Sequence, residues 1–360
     1  MAKIKITCSH CGQALVTDDQ TQARKIKCPH CKHSVRIAPA PLARAIQPSR
    51  RGAKWKFLRP ALVLILGLFL VAVLMELWVM RPAKFHWADH RPIGALFLAS
   101  DGHTSTTNPR GWFNDEKLDV TGPGGAERFR QALMDYTDRS IAILKRTGAQ
   151  GVIVWDLEGE QFPHKTTFIG DPRTLDRLAP EMAAAVDEFF ARLRDAGFQV
   201  GLTIRPQQLM FGENGVPRQT GVLNLQQSLI EKIDYARKRW GATLFYVDSN
   251  GGIRRPDEAW QLRRVAEQRP GVLLIPEHHY LPYWAFSAPY SGLRKGDADV
   301  TANWARKWYR NAFQVLDISD GASHWEAISA ARLNGDILLF RAWHESPEVL
   351  LLEKFANEQK

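Results

Sequence analysis

LFYVDSNGG (244–252) runs through four apolar or aromatic residues, Leu244 to Val247, ends on Asp248 and turns away through Ser249-Asn250-Gly251-Gly252. Six other stretches share this construction: GALFLASDGH (94–103), VIVWDLEGE (152–160), GLTIRP (201–206), VLLIPEHH (272–279), QVLDISDG (314–321) and ILLFRAWHE (337–345). A strand buried on both faces of a parallel sheet needs a near-continuous apolar run. Most of these runs are followed by a stretch of helical periodicity. The alternation predicts an α/β fold, a (β/α)8 barrel over residues 93–360. In such a barrel the chemistry sits on the loops at the carboxyl ends of the strands. Carboxylates, Arg and His recur at that one point of the repeat.

Helices are expected near 126–147, with Phe129, Leu133, Tyr136, Ile141 and Leu144 on one face and Gly148 as the stop, and near 179–196, stopped by Gly197. Others are expected near 222–240, after Pro256, and over 299–311, 324–333 and 347–357. HHYLPYWAFSAPY (278–290) is too short for a full fifth helix, and a sixth strand is expected near Trp284–Pro289. The competing architecture is an open doubly wound sheet. Its nucleotide-binding form would carry a Gly-rich phosphate loop after the first strand, and none is present.

Charge is divided unevenly along the chain. Residues 1–59 hold 13 Lys and Arg against 2 Asp and Glu, a net of +11; the whole chain is +10, so residues 60–360 carry −1. The basic character therefore belongs to an N-terminal arm and says nothing about the partners of the large domain. Residues 61–75 have no polar side chain, and Glu76 is the only charge in 60–80. Twenty-one helical residues at about 1.5 Å each span roughly the ~30 Å hydrocarbon core of a bilayer. Trp55 and Trp78 stand where interfacial aromatics belong. Arg50, Arg51, Lys54, Lys56 and Arg59 crowd the upstream flank, which by the positive-inside rule puts the N-terminus in the cytoplasm and the large domain outside, at the inner membrane. The alternatives are a buried core helix and a cleaved signal peptide; the module preceding the run argues against the latter. The expected organisation is a zinc ribbon (1–37), a basic flexible linker (38–59), a transmembrane helix (60–80), a stalk (81–92) and the barrel domain (93–360).

All four cysteines lie in the first 31 residues, as Cys8-Ser-His-Cys11 and Cys28-Pro-His-Cys31. Two CxxC turns meeting across a hairpin supply the four soft ligands a tetrahedral zinc takes, and a cytoplasmic location favours metal over disulfides. A redox role for the two pairs is the alternative. His10, His30 and His33 are left outside the ligand set. The region resembles the small zinc ribbons at the N-termini of many bacterial proteins, which implies structural zinc and not catalysis; a cytoplasmic protein is a candidate partner of the ribbon. The large domain has no cysteine for a thiolate site or a nucleophile, and no HxH or HExxH spacing, so no cofactor is expected in the barrel.

Asp248 ends the fourth run and Glu277 the fifth, one strand over. Adjacent strands lie about 4.8 Å apart, which brings the two carboxyls near the ~5–5.5 Å of a retaining glycosidase pair; about 6.5–9.5 Å would mean inversion. Asp156 and Glu158 follow the second run, and Arg205 ends the third. An Asp at the end of the fourth strand with a Tyr two before it resembles the nucleophile strand of the retaining α-galactosidase and α-glucosidase barrels. That resemblance implies a carboxylate attacking the anomeric carbon. Those families take their acid/base from the sixth strand, where this sequence has no evident carboxylate; Asp297 and Asp299 come later. An Asp on the fourth strand with a Glu on the fifth is closer to barrels that cut galactosaminogalactan-type polymers.

The reading is a membrane-anchored glycoside hydrolase-like enzyme acting on an extracytoplasmic oligo- or polysaccharide. Asp248 is the nucleophile or base and Glu277 the acid/base. Asp156, Glu158 and Arg205 position hydroxyls, and Trp155, Tyr280 and Trp343 stack on sugar rings. Each residue also has a plainer role, a strand-end Asp as a cap and the aromatics as packing. The competing functions are a non-catalytic carbohydrate-binding receptor or scaffold coupled to the ribbon, and a nucleic-acid-linked regulator using the basic arm. The arm directly precedes the apolar segment, so nucleic acid is not the expected partner.

Overall fold

A computed structural model describes residues 3–18, 25–36, 54–83, 85–164, 166, 168–252, 255–293 and 303–358. Asp297, Asp299, the first residues of the expected sixth helix and the linker over 38–53 lie outside these. The chain divides into two compact units, Met1–Phe69 and Leu70–Lys360.

The first unit opens with two antiparallel hairpins, β1 (Lys3–Thr7) with β2 (Ala14–Asp18) and β3 (Lys25–Lys27) with β4 (Ser34–Arg36). Each CxxC sits at the tip of one hairpin. Cys8 N–H donates to Gln13 O and Gly12 N–H returns to Cys8 O, both at 2.9 Å; Cys28 and Lys32 repeat the pattern at 2.8 Å. Gly12 and Lys32 take positive φ at the matching turn position, where a residue without a Cβ is least strained. Helix α1 (Lys54–Met80) follows. It starts six residues earlier than the apolar run, so part of the expected linker is helical. Its Pro60–Met80 portion is long and apolar enough to cross a membrane.

The second unit is built on eight parallel strands. In chain order they are β5 (Ile93–Phe97), β6 (Gly151–Trp155), β7 (Gln199–Ile204), β10 (Leu244–Val247), β11 (Leu273–Pro276), β12 (Tyr290–Gly292), β13 (Val315–Asp317) and β14 (Ile337–Arg341). An antiparallel hairpin, β8 (Gln208–Phe211) with β9 (Pro217–Thr220), is inserted after β7. The strands lie side by side in the order β11-β10-β7-β6-β5-β14-β13-β12. The first and eighth are paired, and one hydrogen bond, Ala288 N–H to Leu274 O at 3.1 Å, draws the two ends of the sheet together. This is a near-closed (β/α)8 barrel, not an open doubly wound sheet. The helices between strands are α2 (Gly125–Arg146), α3 (Leu175–Leu178) with α4 (Pro180–Asp195), α5 (Leu225–Trp240), α6 (Pro256–Gln268), α7 (Asn303–Trp308), α8 (Trp325–Leu333) and α9 (Pro347–Asn357).

Alternation along each strand separates two apolar layers. Ile93, Ala95, Ile153, Leu244, Tyr246, Leu273, Ile275, Val315, Ile337 and Leu339 fill the interior. Leu96, Val152, Val154, Phe245, Val247, Leu274, Leu316 and Phe340 face the helices. Gly201 is the interior residue of β7 at one level, and a Cβ there would lie 2.0 Å from Leu244 O, so β7 and β10 approach closely only because that side chain is missing.

Two expectations are corrected. The sixth strand is Tyr290–Gly292; the expected range begins inside Leu281–Ala285, which is a short 3-10 helix. Pro282 pre-sets φ for a tight turn, and the Tyr283 and Trp284 rings are buried against the wall instead of alternating. The expected stalk over 81–92 is not free chain. Phe85 and Trp87 pack against the interior layer, and Trp87 Nε1 donates to Gln150 Oε1 at 3.0 Å.

Candidate active site

The barrel mouth is assembled from residues one step past the strands. Asp248 continues β10, its N–H donating to Ile204 O at 3.0 Å, and Glu277 continues β11, its N–H donating to Val247 O at 3.2 Å. Val247 and Pro276 are direct partners in the ladder, so Asp248 and Glu277 are neighbours in register. Both follow the inward-facing parity of Tyr246 and Ile275. Ser249 joins them. Its N–H donates to Glu277 Oε2 at 2.7 Å, and its hydroxyl lies 3.3 Å from Asp248 Oδ2. Ser249 has a positive φ, a turn stabilised where Asn250 Nδ2 donates to Val247 O at 2.9 Å and Asn250 Oδ1 accepts from Tyr283 at 3.1 Å.

The two carboxyls sit in different surroundings. Asp248 is ion-paired with Arg205 Nε. Burial, followed by the neighbouring Asp248 charge, pushes the Glu277 carboxyl above its ordinary range. One acid thus has a dedicated cation and the other is biased toward its protonated form, the division general acid–base chemistry needs.

Arg205 is held from several sides. Its Nη1 donates to Gln219 Oε1 at 2.7 Å. Gln219 belongs to the inserted hairpin and is itself fixed by donating to Phe168 O at 3.2 Å and Ile169 O at 3.1 Å. The Arg205 N–H donates to Gly170 O at 3.0 Å. Gly170 has positive φ, and a Cβ there would stand 2.7 Å from the Arg205 nitrogen. The Arg205 carbonyl accepts from the fully buried Lys232 Nζ at 2.7 Å.

Asp156 and Glu158 are buried beneath this loop. Asp156 Oδ1 accepts from Phe168 N–H at 2.9 Å, and Glu158 Oε1 accepts from Asp171 N–H at 2.8 Å. Glu160 does the same for Thr166 N–H at 2.8 Å. The WDLEGE carboxylates therefore staple residues 166–171, and that segment in turn touches Arg205. Burial holds the Asp156 carboxyl well above its usual range, with Glu160 and Glu158 adding to it. Burial likewise pushes Glu158 up to about 7 and the Lys232 ammonium down to about 8.

Aromatic rings line the floor and rim. Trp155 lies 5.0 Å from Phe97 and 5.1 Å from Tyr246, centre to centre. Trp343 stands edge-on to Phe97 at 5.4 Å. Tyr280 is elsewhere: its hydroxyl lies 3.5 Å from Glu76 Oε1, on the barrel wall. Asp317, in the QVLDISDG run (314–321), is a further acid of the mouth. It ends β13 with inward parity, and its Oδ2 accepts from the Tyr290 hydroxyl at 2.8 Å. Tyr290 in turn stands 5.3 Å from Tyr246. The Tyr246 phenol is held well above its ordinary range by burial and then by Glu277, Tyr290, Asp248 and Asp317, so these groups converge on one ring. The signal available in sequence was the position of Asp317 at a strand end, the same signal that selected Asp248.

In the first unit, the Sγ atoms of Cys8, Cys11, Cys28 and Cys31 all lie within 4.8 Å of one another. Cys8 and Cys31 are 3.6 Å apart, and Cys11 and Cys28 3.7 Å. Ligands at about 2.3 Å in a tetrahedron have edges of about 3.8 Å, so the four sulfurs fit a metal ion of that geometry.

No protein-family model matches the chain, and no curated protein does. Among solved structures, an α-amylase from Lactobacillus plantarum overlaps with a TM-score of 0.44 at 13% identity, over 75% of this chain and 80% of that one. The Thermotoga maritima α-fucosidase overlaps with a TM-score of 0.43 at 10% identity, over 77% and 74%. The α-galactosidase of Lactobacillus brevis overlaps with a TM-score of 0.41 at 11% identity; the match covers 75% of this chain but only 40% of that protein's length. These glycosidases are what the chain is similar to; at such identities no residue correspondence follows.

Proposed function

We propose that the second unit is a glycoside hydrolase-like enzyme that cleaves an extracytoplasmic oligo- or polysaccharide, anchored by α1 as a membrane span. The observation that supports this best is the Asp248–Glu277 pair, on adjacent strands in register and in contrasting surroundings. In this reading Asp248 attacks the anomeric carbon while Glu277 gives its proton to the glycosidic oxygen of the leaving sugar. Glu277, now ionised, takes a proton from water, which displaces the glycosyl group from Asp248. Neighbouring-strand spacing favours this retaining course. Arg205 orients Asp248, and Trp155, Phe97 and Trp343 offer apolar faces to sugar rings. Asp156 and Glu158 act through the loop they hold, as positioning residues.

The test is turnover of glycan by the full chain against Asp248→Asn and Glu277→Gln. Each substitution is expected to lower kcat by about 10²–10⁴, with the anomeric configuration of the product retained by NMR. Wild-type activity should fall as pH rises through the elevated Glu277 pKa, because the acid must be protonated to act. Undiminished turnover in both variants would overturn the assignment.

A second reading is a non-catalytic carbohydrate-binding barrel. It is favoured by the Arg205–Asp248 ion pair and the Ser249 N–H on Glu277, which already satisfy both carboxylates. Glycan binding without turnover by the wild type would select it.

The four-cysteine cluster is proposed to hold zinc structurally, through thiolates, in a cytoplasmic ribbon that engages a protein partner.

A further inference from the structure

The barrel lacks a regular helix after its fifth strand, and the end of α1 takes that place. Trp78 and Val79 join the layer between strands and helices, beside Trp284 and Phe286. The Trp78 ring lies 6.3 Å from Trp260 of α6. Ala83 N–H donates to Ala285 O at 3.0 Å. Arg263, fully buried, donates from Nη1 to the carbonyls of Val79 and Arg81, closing a helix end whose last carbonyls would otherwise lack partners. Tyr280 reaches Glu76 from the same wall.

The next element around the wall is α7, and its outer face is apolar and basic. Ala305 and Tyr309 turn inward. Trp304, Lys307 and Trp308, at helical spacing, turn outward; Trp308 is 65% exposed and Trp304 44%. Arg310 is exposed beside them, and residues 303–311 contain no acid. Trp304 lies 5.4 Å from Trp284, so this face is one side chain removed from the segment that meets α1.

We infer that the α7 face is a second membrane contact, with Trp304 and Trp308 seated at the interface and Lys307 and Arg310 facing anionic lipid headgroups. The inference rests on the reading of α1 as a membrane span. The apolar portion of α1, Pro60–Met80, is about 30 Å long at about 1.5 Å per residue and matches the hydrocarbon thickness of a bilayer. Its closing residues, Glu76 to Met80, therefore lie at the edge of the hydrocarbon, and among them Glu76, Trp78 and Val79 meet the barrel. A wall fixed to them lies at headgroup level, where Trp is the favoured aromatic and where Lys and Arg gain from anionic lipid. The occupant is thus the bilayer that α1 itself enters.

The experiment uses the full chain reconstituted in vesicles of phosphatidylethanolamine and phosphatidylglycerol. A photo-crosslinking residue, p-benzoylphenylalanine, replaces Trp304, Trp308 or, on the opposite side of the barrel, the exposed Asp135 of α2. Lipid adducts are expected at 304 and 308 and none at 135. Both tryptophan sites are exposed, so either alone carries the test if the other variant fails to accumulate. Release of the wild type by alkaline carbonate would remove the span and the inference with it. A chain that resists carbonate but forms no lipid adduct at 304 or 308, or only a protein adduct there, would overturn the inference and leave the span standing.

Discussion

Glu158 shows how a residue at a predicted site can act one step away from it. It is buried, bonded to a backbone N–H and close to Lys232, and its carboxyl is pushed from an ordinary 4.5 to about 7. A carboxyl whose folded pKa is raised binds its proton more tightly in the native state. Its contribution to stability is therefore complete below about pH 4.5 and is lost as pH rises through about 7, an effect of at most about 3 kcal/mol. Glu158→Gln keeps an acceptor for the Asp171 N–H and removes the titration. The fall in Tm between these pH values, followed by calorimetry, should be shallower in the variant than in the wild type. Asp156 has the same sign of shift, so the slope is reduced and not abolished. An equal slope in both proteins would mean that Glu158 is ionised throughout.

At the scale of elements, the junction of the end of α1 with the barrel has a buried cation, Arg263, at its centre. Arg263 spans α6 and the end of α1, with Glu267 Oε1 at 3.0 Å from its Nε. Replacing it by Leu keeps apolar bulk but leaves buried carbonyls unpaired, each costing about 1–3 kcal/mol. In detergent-solubilised full chain this should lower the barrel Tm by about 2–4 °C for each kcal/mol lost. Lys238→Leu, at an exposed site of α5 away from this junction, serves as the reference and should change Tm little. The inserted hairpin β8–β9 works similarly on the site, since Gln219 hydrogen-bonds both to Arg205 and to the loop held by Asp156 and Glu158. Neither role has a local signature: PRQT (217–220) reads as polar loop, and Arg263 reads as one charge of an amphipathic helix.

For the whole molecule, in the proposed reading of α1 as a membrane span, charge and apolarity set its orientation. The basic flank before Pro60 and the near-neutral remainder favour an N-terminus in the cytoplasm and a barrel outside. A reporter that works only outside the cytoplasm, fused after Lys360, is expected to be active. A stable fusion that stays inactive, with a cytoplasmic reporter active at the same position, would reverse the orientation.

Some of this was determined by the sequence alone. Seven apolar runs, each near-continuous because both faces of a parallel strand are buried, marked seven of the eight strands. Gly148 and Gly197 marked helix ends. The CxxC pairs located the sulfur cluster, and Asp248, Glu277 and Arg205 were picked out at strand ends and do meet at the barrel mouth. The remaining strand, the sixth, was expected too early, near Trp284–Pro289, because Tyr290–Gly292 is three residues long and ends on small and polar groups, too short for periodicity to register. What only the tertiary structure decided is which strand-end groups face the mouth and which support it. Asp156, Glu158 and Tyr280 carry the same chemistry as their neighbours, but loop closure over 156–171 buries the two acids and the 3-10 turn after β11 sends Tyr280 to Glu76. Asp317 joins the mouth because β12 pairs with β13 in a register that sets Tyr290 against Val315, which puts the Tyr290 hydroxyl on its carboxylate. Such contacts depend on strand pairing and on how the loops fold over the mouth, and no local pattern of residues encodes them.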